Sequence, residues 1–96
     1  MSTYAVRYTY DERVDVRDAV RPAHRAYLAE LADRGLLLGS GPWADEPAGA
    51  LLVLEAADEA AIDALLDDDP FQREGLVAAT DVRPWSIVIG PWAAGR

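Results

Sequence analysis

The stretch Tyr4-Ala-Val-Arg-Tyr-Thr-Tyr10 decides the fold, because in it large apolar residues alternate with small or polar ones. Alternation with a period of two is typical of a strand that buries one face and exposes the other. The residues that share the apolar face are Tyr4, Val6, Tyr8 and Tyr10. Such a strand needs a second layer of structure over its apolar face, and the segment that follows is expected to supply it.

From about Asp15 to Gly35 the apolar residues recur at helical spacing, which predicts the first helix. Two starts are possible: Pro22 suits a first helical turn, whereas Asp15 or Asp18 could cap an earlier beginning. With either start, the only histidine, His24, lies inside the helix on its inward stripe. The residues of that stripe are Val20, His24, Tyr27 or Leu28, and Leu31.

The rest of the sequence predicts three more strands and a second helix. In chain order they are a strand over 36–41, a loop over 42–47, a strand over 49–55, a helix capped by Asp58 that ends near 67–70, a tight connector over 71–75 and a strand over 76–89 with Pro84 at an edge or a bulge. The order β-α-β-β-α-β indicates an α+β, ferredoxin-like fold in a single domain spanning 1–96, with an antiparallel sheet and two helices on one face.

The sheet face opposite the helices is predicted to be an interface. The second, third and fourth strands carry apolar residues on both faces, and an exposed apolar sheet favours aggregation in a monomer. We therefore expect a homodimer in which two open sheet faces pack together.

Composition excludes several classes of protein. The formal net charge of −8 argues against a nucleic-acid partner, no apolar run is long enough to span a membrane, and no secretory leader is visible, so a cytoplasmic location is expected. The sequence has no Cys, no Lys and one His, which excludes thiol nucleophiles, lysine Schiff bases and multi-histidine zinc sites within one protomer. A carboxylate-rich Mg²⁺ site stays open, but neither a metal nor a cofactor is predicted.

His24 is the first candidate for chemistry, because histidine is the side chain that exchanges protons near neutral pH. Its inward position suits a general base and equally suits a core histidine whose ring nitrogens are satisfied by hydrogen bonds. Asp69 is the second candidate. It ends the acidic run Asp67-Asp-Asp69 at a helix C-terminus, where acids are unfavourable, so one of them is retained for a contact elsewhere or the run reflects an acid-rich chain.

Binding residues are expected around the end of the second strand. Ser40 lies between two glycines, where a ligand finds space and the hydroxyl can bind it, although an ordinary strand-end turn explains it as well. A triad of Ser40, His24 and Asp69 is conceivable, but the nucleophile-elbow pattern is absent. Trp43 could form the wall of a pocket or anchor its loop, and Arg21 and Arg25 are the local positive charges that an anionic substrate would need.

Four motifs that cover nearly the whole chain resemble the YCII-related family. They are Arg21-Pro-Ala-His24-Arg-Ala-Tyr-Leu28, Arg34-Gly-Leu-Leu-Leu-Gly-Ser-Gly-Pro42, Asp68-Asp-Pro-Phe71 with Gly75-Leu76, and Val82-Arg-Pro-Trp85. The resemblance implies the dimeric α/β barrel form of the ferredoxin-like fold. It also implies a catalytic histidine and aspartate at a pocket, which by motif are His24 and Asp69, with Ser40 and Pro42 at the matching strand end.

The reaction that this resemblance implies is cofactor-free proton transfer on a small, often cyclic or aromatic compound, of the lyase or isomerase type. In that chemistry His24 would move the proton, Asp69 would hold its tautomer, and Arg21 or Ser40 would bind a substrate oxygen. The alternative is a non-catalytic module that binds a small molecule or regulates through the same pocket. A purely structural dimer partner is disfavoured by the polar groups around the first helix and second strand.

Overall fold

A computed structural model, which describes residues 1–93, shows one four-stranded antiparallel sheet with its helices on one face. The strands lie in the order β2-β3-β1-β4, which is that of a ferredoxin-like fold and confirms the α+β prediction. The elements are β1 Ser2–Tyr10, α1 Val14–Asp33, β2 Leu37–Pro42, β3 Gly49–Ala56, α2 Glu59–Asp67, α3 Pro70–Arg73 and β4 Val77–Pro84, followed by a 3₁₀ turn at Pro91–Ala93.

Helix α1 takes the earlier of the two predicted starts, but neither predicted aspartate caps it. It begins at Val14 after Arg13, which makes no side-chain cap, and Asp15 lies within its first turn, where a negative charge suits the helix dipole. Pro22 is therefore inside the helix, where it lacks the N–H that would bond the carbonyl of Asp18. Because the helix begins at Val14, its inward stripe extends by at least one turn before Val20.

Two further boundaries differ from the sequence prediction. The connector after α2 contains a short helix, α3, because Asp69 caps it: the Asp69 Oδ1 atom accepts the backbone N–H of Phe71 at 3.0 Å. Strand β4 ends at Pro84 on the sheet edge rather than at residue 89, and one more bond, from Trp85 N–H to the Thr3 carbonyl at 2.9 Å, closes the pairing. The predicted cap of α2 is confirmed, since Asp58 accepts the N–H of Ala61 at 2.9 Å.

The main core lies between the sheet and the helices. The register pairs Tyr4 with Leu54 and Val6 with Leu52, so the apolar faces of β1 and β3 are one continuous surface. Helices α1 and α2 cover that surface with Leu28, Leu31, Ile62 and Leu66. Burial of these side chains is the main source of stability in a domain of this size.

The open sheet face is only partly apolar. The prediction that the fourth strand carries apolar residues on both faces is therefore wrong. On that face Arg7 of β1 and Asp81 of β4 form an exposed ion pair at 2.6 Å, a contact worth about 0–1 kcal/mol. At the other edge the C-terminal segment returns to β2: a Cβ atom on Gly39 would lie 2.9 Å from the Trp92 ring. Val53, the register partner of Gly39, is 2% exposed.

The segment after β4 carries half of the exposed large apolar side chains in residues 1–93. They are Trp85, Val88, Ile89 and Trp92, with Ile89 at 91% exposure. Within residues 1–93, no helix combines the length and the apolar character needed to cross a bilayer.

Candidate active site

Two side chains that lie far apart in the sequence meet beneath the sheet. The Nδ1 atom of His24 on α1 lies 2.7 Å from Oδ1 of Asp69, the capping residue of α3. Both side chains are buried. Because an ionised carboxylate only accepts hydrogen bonds, this contact requires the proton on Nδ1 and leaves Nε2 with a free lone pair in the neutral ring.

Asp69 is held by three donors. Besides His24 and the N–H of Phe71, the hydroxyl of Tyr8 donates to its Oδ2 atom at 2.9 Å. The neighbouring Asp68 is exposed instead and pairs with Arg73 at 2.9 Å. The N-cap position before Pro70 explains the difference, since it turns the Asp69 carboxylate back toward the start of α3 and into the protein.

Tyr8 donates to this carboxylate from the middle of β1. Burial first, then the negative charge of Asp69 and the hydrogen bond to it, raise the pKa of Tyr8 well above its ordinary value. The phenol therefore stays protonated across the physiological range and remains a donor. The result is a buried Tyr8–Asp69–His24 chain of hydrogen bonds.

A stacking contact also orients the imidazole ring of His24. Its ring stacks on Phe71 with centroids 3.9 Å apart and planes 6° apart, and Phe71 in turn contacts Tyr10 edge-on at 5.3 Å. No buried side-chain nitrogen or oxygen of residues 1–93 lacks a partner, and Nε2 has no hydrogen bond there. Nε2 is therefore not fully buried, and His24 lines the wall of a cavity.

That cavity has a volume of about 410 Å³ and opens between α1 and the end of β2. Arg21, Ser40 and Pro42 lie in its wall together with His24, and its apolar lining includes Leu28, Leu37, Leu52 and Phe71. No hydrogen bond links Ser40 to His24 within residues 1–93, so the conceivable triad is not assembled. Trp43 lies outside this wall and lines a neighbouring cavity of about 260 Å³.

Three residues near the site were not singled out from the sequence. The hydroxyl of Tyr8 donates to Asp69, and the ring of Phe71 stacks on His24. Arg17 is buried to 5% exposure, with its guanidinium 4.8 Å above the ring of Tyr10 and donating to the Asp11 carbonyl at 2.8 Å. Its signal was its spacing, because it lies seven positions before His24 on the same helical stripe.

Acidic side chains do not gather into a metal site in the part of the chain described. Among residues 1–93 no group of three or more His, Asp or Glu side chains is arranged to hold a metal ion. His24, Asp69 and Tyr8 instead form a site that can hold and transfer a proton.

Comparison with known families decides the relationship, since the model of the YCII-related domain matches residues 1–86. The chain belongs to the YCII-related family. Among solved structures, this YCII-related protein is similar to the 5-chloro-2-hydroxyhydroquinone dehydrochlorinase TftG from Burkholderia phenoliruptrix, solved in complex with 2,5-dihydroxybenzoquinone. The identity is 26%, the TM-score is 0.77, and the match covers 86% of this chain and 92% of TftG.

More distant structures share the fold alone with the YCII-related protein. An antibiotic biosynthesis monooxygenase has 18% identity and a TM-score of 0.57, over 93% of this chain and 100% of that one. SnoaB, a cofactor-independent oxygenase from Streptomyces nogalater, has 13% identity and a TM-score of 0.52, over 93% and 94%. No curated protein matches the chain significantly.

Proposed function

We propose that this protein is a cofactor-independent acid–base enzyme of the lyase or isomerase type that acts on a small cyclic or aromatic metabolite. The observation that carries the proposal is the 2.7 Å contact between His24 and Asp69 at the wall of an open cavity. A histidine whose Nδ1–H is held by a buried carboxylate presents Nε2 as a base. The cavity volume of about 410 Å³ falls within the usual range for small-molecule sites.

In this proposal Nε2 of His24 takes a proton from the substrate, and Asp69 stabilises the imidazolium that results. Tyr8 and the N–H of Phe71 hold the carboxylate in place, so Asp69 acts through the histidine and not on the substrate. Arg21 and Ser40 bind substrate oxygens, Pro42 shapes the wall, and Trp43 closes the neighbouring cavity. The Ser40 hydroxyl suits this role because no hydrogen bond within residues 1–93 occupies it.

The similarity to TftG supports this class of reaction. A dehydrochlorination removes a proton from one atom and releases chloride from another without net oxidation, so one positioned base is the main requirement. The dihydroxybenzoquinone bound to TftG is a single ring with oxygens around its edge. A ring of that size suits a cavity that combines apolar walls with Arg21, Ser40 and His24.

The test is chloride release from 5-chloro-2-hydroxyhydroquinone and related halogenated hydroquinones, with 2,5-dihydroxybenzoquinone as a ligand for NMR. We expect His24→Gln to abolish turnover and Asp69→Asn to lower it about 10²- to 10⁴-fold. Asp68→Asn is the matched control, since it makes the same change at an exposed position one residue away. Ligand contact should shift the ring signals of His24.

Full turnover in both site variants would rule out the proposed roles. Binding of the quinone at His24 without turnover of any halogenated or isomerisable ring would favour the alternative, a non-catalytic small-molecule-binding or regulatory module. Thermal denaturation of each variant separates loss of chemistry from loss of fold.

A homodimer through the open sheet face is part of the proposal. Exposed Val88 and Ile89 beside the partly covered sheet form an apolar surface that a second copy would bury. Sedimentation velocity should show a dimer that Ile89→Asp weakens, whereas Val14→Asp, on an exposed apolar residue of α1, should leave it intact. A monomer in the unaltered protein would contradict the proposal. A cytoplasmic location stays a prediction from the sequence.

A further inference from the structure

Arg17 is a buried cation without a carboxylate partner. Its side chain is 95% covered, yet no Asp or Glu of residues 1–93 lies within ion-pair distance of it. Its guanidinium donates a hydrogen bond to the Asp11 carbonyl and lies over the ring of Tyr10. A buried charge normally has a counterion, because leaving water is costly for an isolated ion.

The position of Arg17 explains where a counterion could bind. It lines the cavity of about 260 Å³, which also contains Arg21 and Trp43. Tyr10, Arg21 and Pro42 line both this cavity and the one at His24, so the two are adjacent.

Basic side chains gather at this junction in a protein that is acidic as a whole. The chain carries a net charge of −8, but besides burial and the Asp69 carboxylate, Arg17, Arg21 and Arg25 all lie near enough to Tyr10 to act on its ionisation. Asp18 pairs with Arg21 on the solvent side at 2.5 Å. Asp45 and Glu46 line the outer lip of the smaller cavity, where both are exposed and neither contacts a guanidinium within ion-pair distance. The cavity is therefore basic at its floor and acidic only at its solvated rim.

We propose that the smaller cavity is an anion subsite of the active site, where Arg17 and Arg21 bind a carboxylate on a ring whose reacting atoms lie at His24. This inference rests on the proposed function of His24. Arg17 and His24 are two helical turns apart, about 10 Å along the axis, which suits a single ring substituted at opposite ends. Among small rings, the site would thus favour aromatic or cyclic acids with an oxygen opposite the acid group over neutral rings of the same size.

The test compares 4-hydroxybenzoate with 4-hydroxybenzamide, which have nearly the same shape and differ in charge. Calorimetry gives the affinities, and NMR follows the His24 ring and the indole N–H of Trp43. We expect the acid to bind at least about tenfold more tightly than the amide, as charged hydrogen bonds predict. Arg17→Gln and Arg21→Gln should each remove that preference, whereas Arg34→Gln, the same change at the exposed end of α1, should keep it.

Several outcomes would overturn the subsite. Equal affinity for acid and amide, with His24 shifted by both, would remove the anion subsite and leave the proposed function standing. Failure of the acid to bind at millimolar concentration would overturn it too, as would binding that leaves His24 unperturbed. The last measurement uses inorganic phosphate as the ligand. If phosphate binds as tightly as the acid, the site takes free anions and not a substrate carboxylate, and the proposed subsite is wrong. If Arg17→Gln unfolds the protein, the half-exposed Arg21 still gives the decisive comparison.

Discussion

Oδ1 of Asp69 lies 2.7 Å from Nδ1 of His24, and the same oxygen accepts the backbone N–H of Phe71. One carboxylate oxygen thus fixes both the start of α3 and the orientation of the imidazole. Because the hydrogen bond from the Phe71 N–H fixes the position of the Asp69 carboxylate, His24 meets an acceptor that is already in place. This preorganisation is what a positioned base requires.

The first prediction concerns the tautomer of His24. In the unaltered protein we expect the neutral ring to carry its proton on Nδ1, and in Asp69→Asn to populate the Nε2–H form as well, because the negative acceptor is gone. Long-range proton–nitrogen NMR of the ring distinguishes the two forms. Asp68→Asn should leave the spectrum unchanged. A single Nδ1–H tautomer in Asp69→Asn would show that stacking on Phe71 is sufficient to orient the ring.

The second prediction concerns stability at alkaline pH. Burial and the nearby carboxylate raise the pKa of Tyr8 above its ordinary value of 10.0. Above a pH of about 10 the unfolded chain loses this proton while the folded chain keeps it, so stability falls as pH rises, by up to about 1.4 kcal/mol per pH unit. Below that pH the contribution is fully present.

Tyr8→Phe should therefore flatten the alkaline loss, measured by urea denaturation between about pH 9 and pH 12. At neutral pH it should cost about 1–3 kcal/mol, since Asp69 loses a buried donor. Tyr4→Phe is the neutral-pH control, because the Tyr4 hydroxyl has no hydrogen bond within residues 1–93, and its cost should be smaller. An alkaline slope that Tyr8→Phe leaves unchanged would contradict the buried neutral phenol.

The third prediction concerns Phe71, which joins the core to the site. Phe71→Ala should lower the free energy of unfolding by about 3–5 kcal/mol, because it removes a ring that is 1% exposed and packs on His24 and Tyr10. Phe71→Leu should cost less and still slow turnover, since it fills volume without a flat surface for the imidazole. Urea denaturation and the assay above measure both. Unchanged turnover in Phe71→Leu would show that stacking is not needed.

The fourth prediction concerns Gly39 and Trp92. A methyl group at Gly39 would lie 2.9 Å from the Trp92 ring, so Gly39→Ala should displace the C-terminal segment and change the indole NMR signal of Trp92. The ring is the outer end of a side chain, so stability should fall by only about 1 kcal/mol. In a Trp92→Ala background the same change should be nearly neutral. Additive effects of the two substitutions would contradict the contact.

The sequence alone was sufficient for the four strands, for the two long helices and for the direction in which His24 faces, but not for the short helix α3 or the end of β4. The alternation over 4–10 and the helical spacing from Val20 to Leu31 are local patterns, and the capping by Asp58 depends on residues only three positions apart. Local patterns of this kind follow from backbone geometry, which is the same in every protein. The start of α1 was harder, because its first turn has no side-chain cap and Pro22 lies inside the helix.

Tertiary structure decided how the groups around His24 are arranged. Local patterns did not distinguish the three adjacent aspartates, and only the family resemblance pointed to Asp69. The packing of α3 against α1 brings that residue to the ring, across 45 positions of the chain. The same packing places Phe71 on the imidazole, and the sheet places the Tyr8 hydroxyl on the carboxylate. Such contacts depend on how separate elements pack in space, and no local period records that arrangement. The sequence determined that a histidine would face inward, and the fold determined that it meets a carboxylate held by two other donors beside an open cavity.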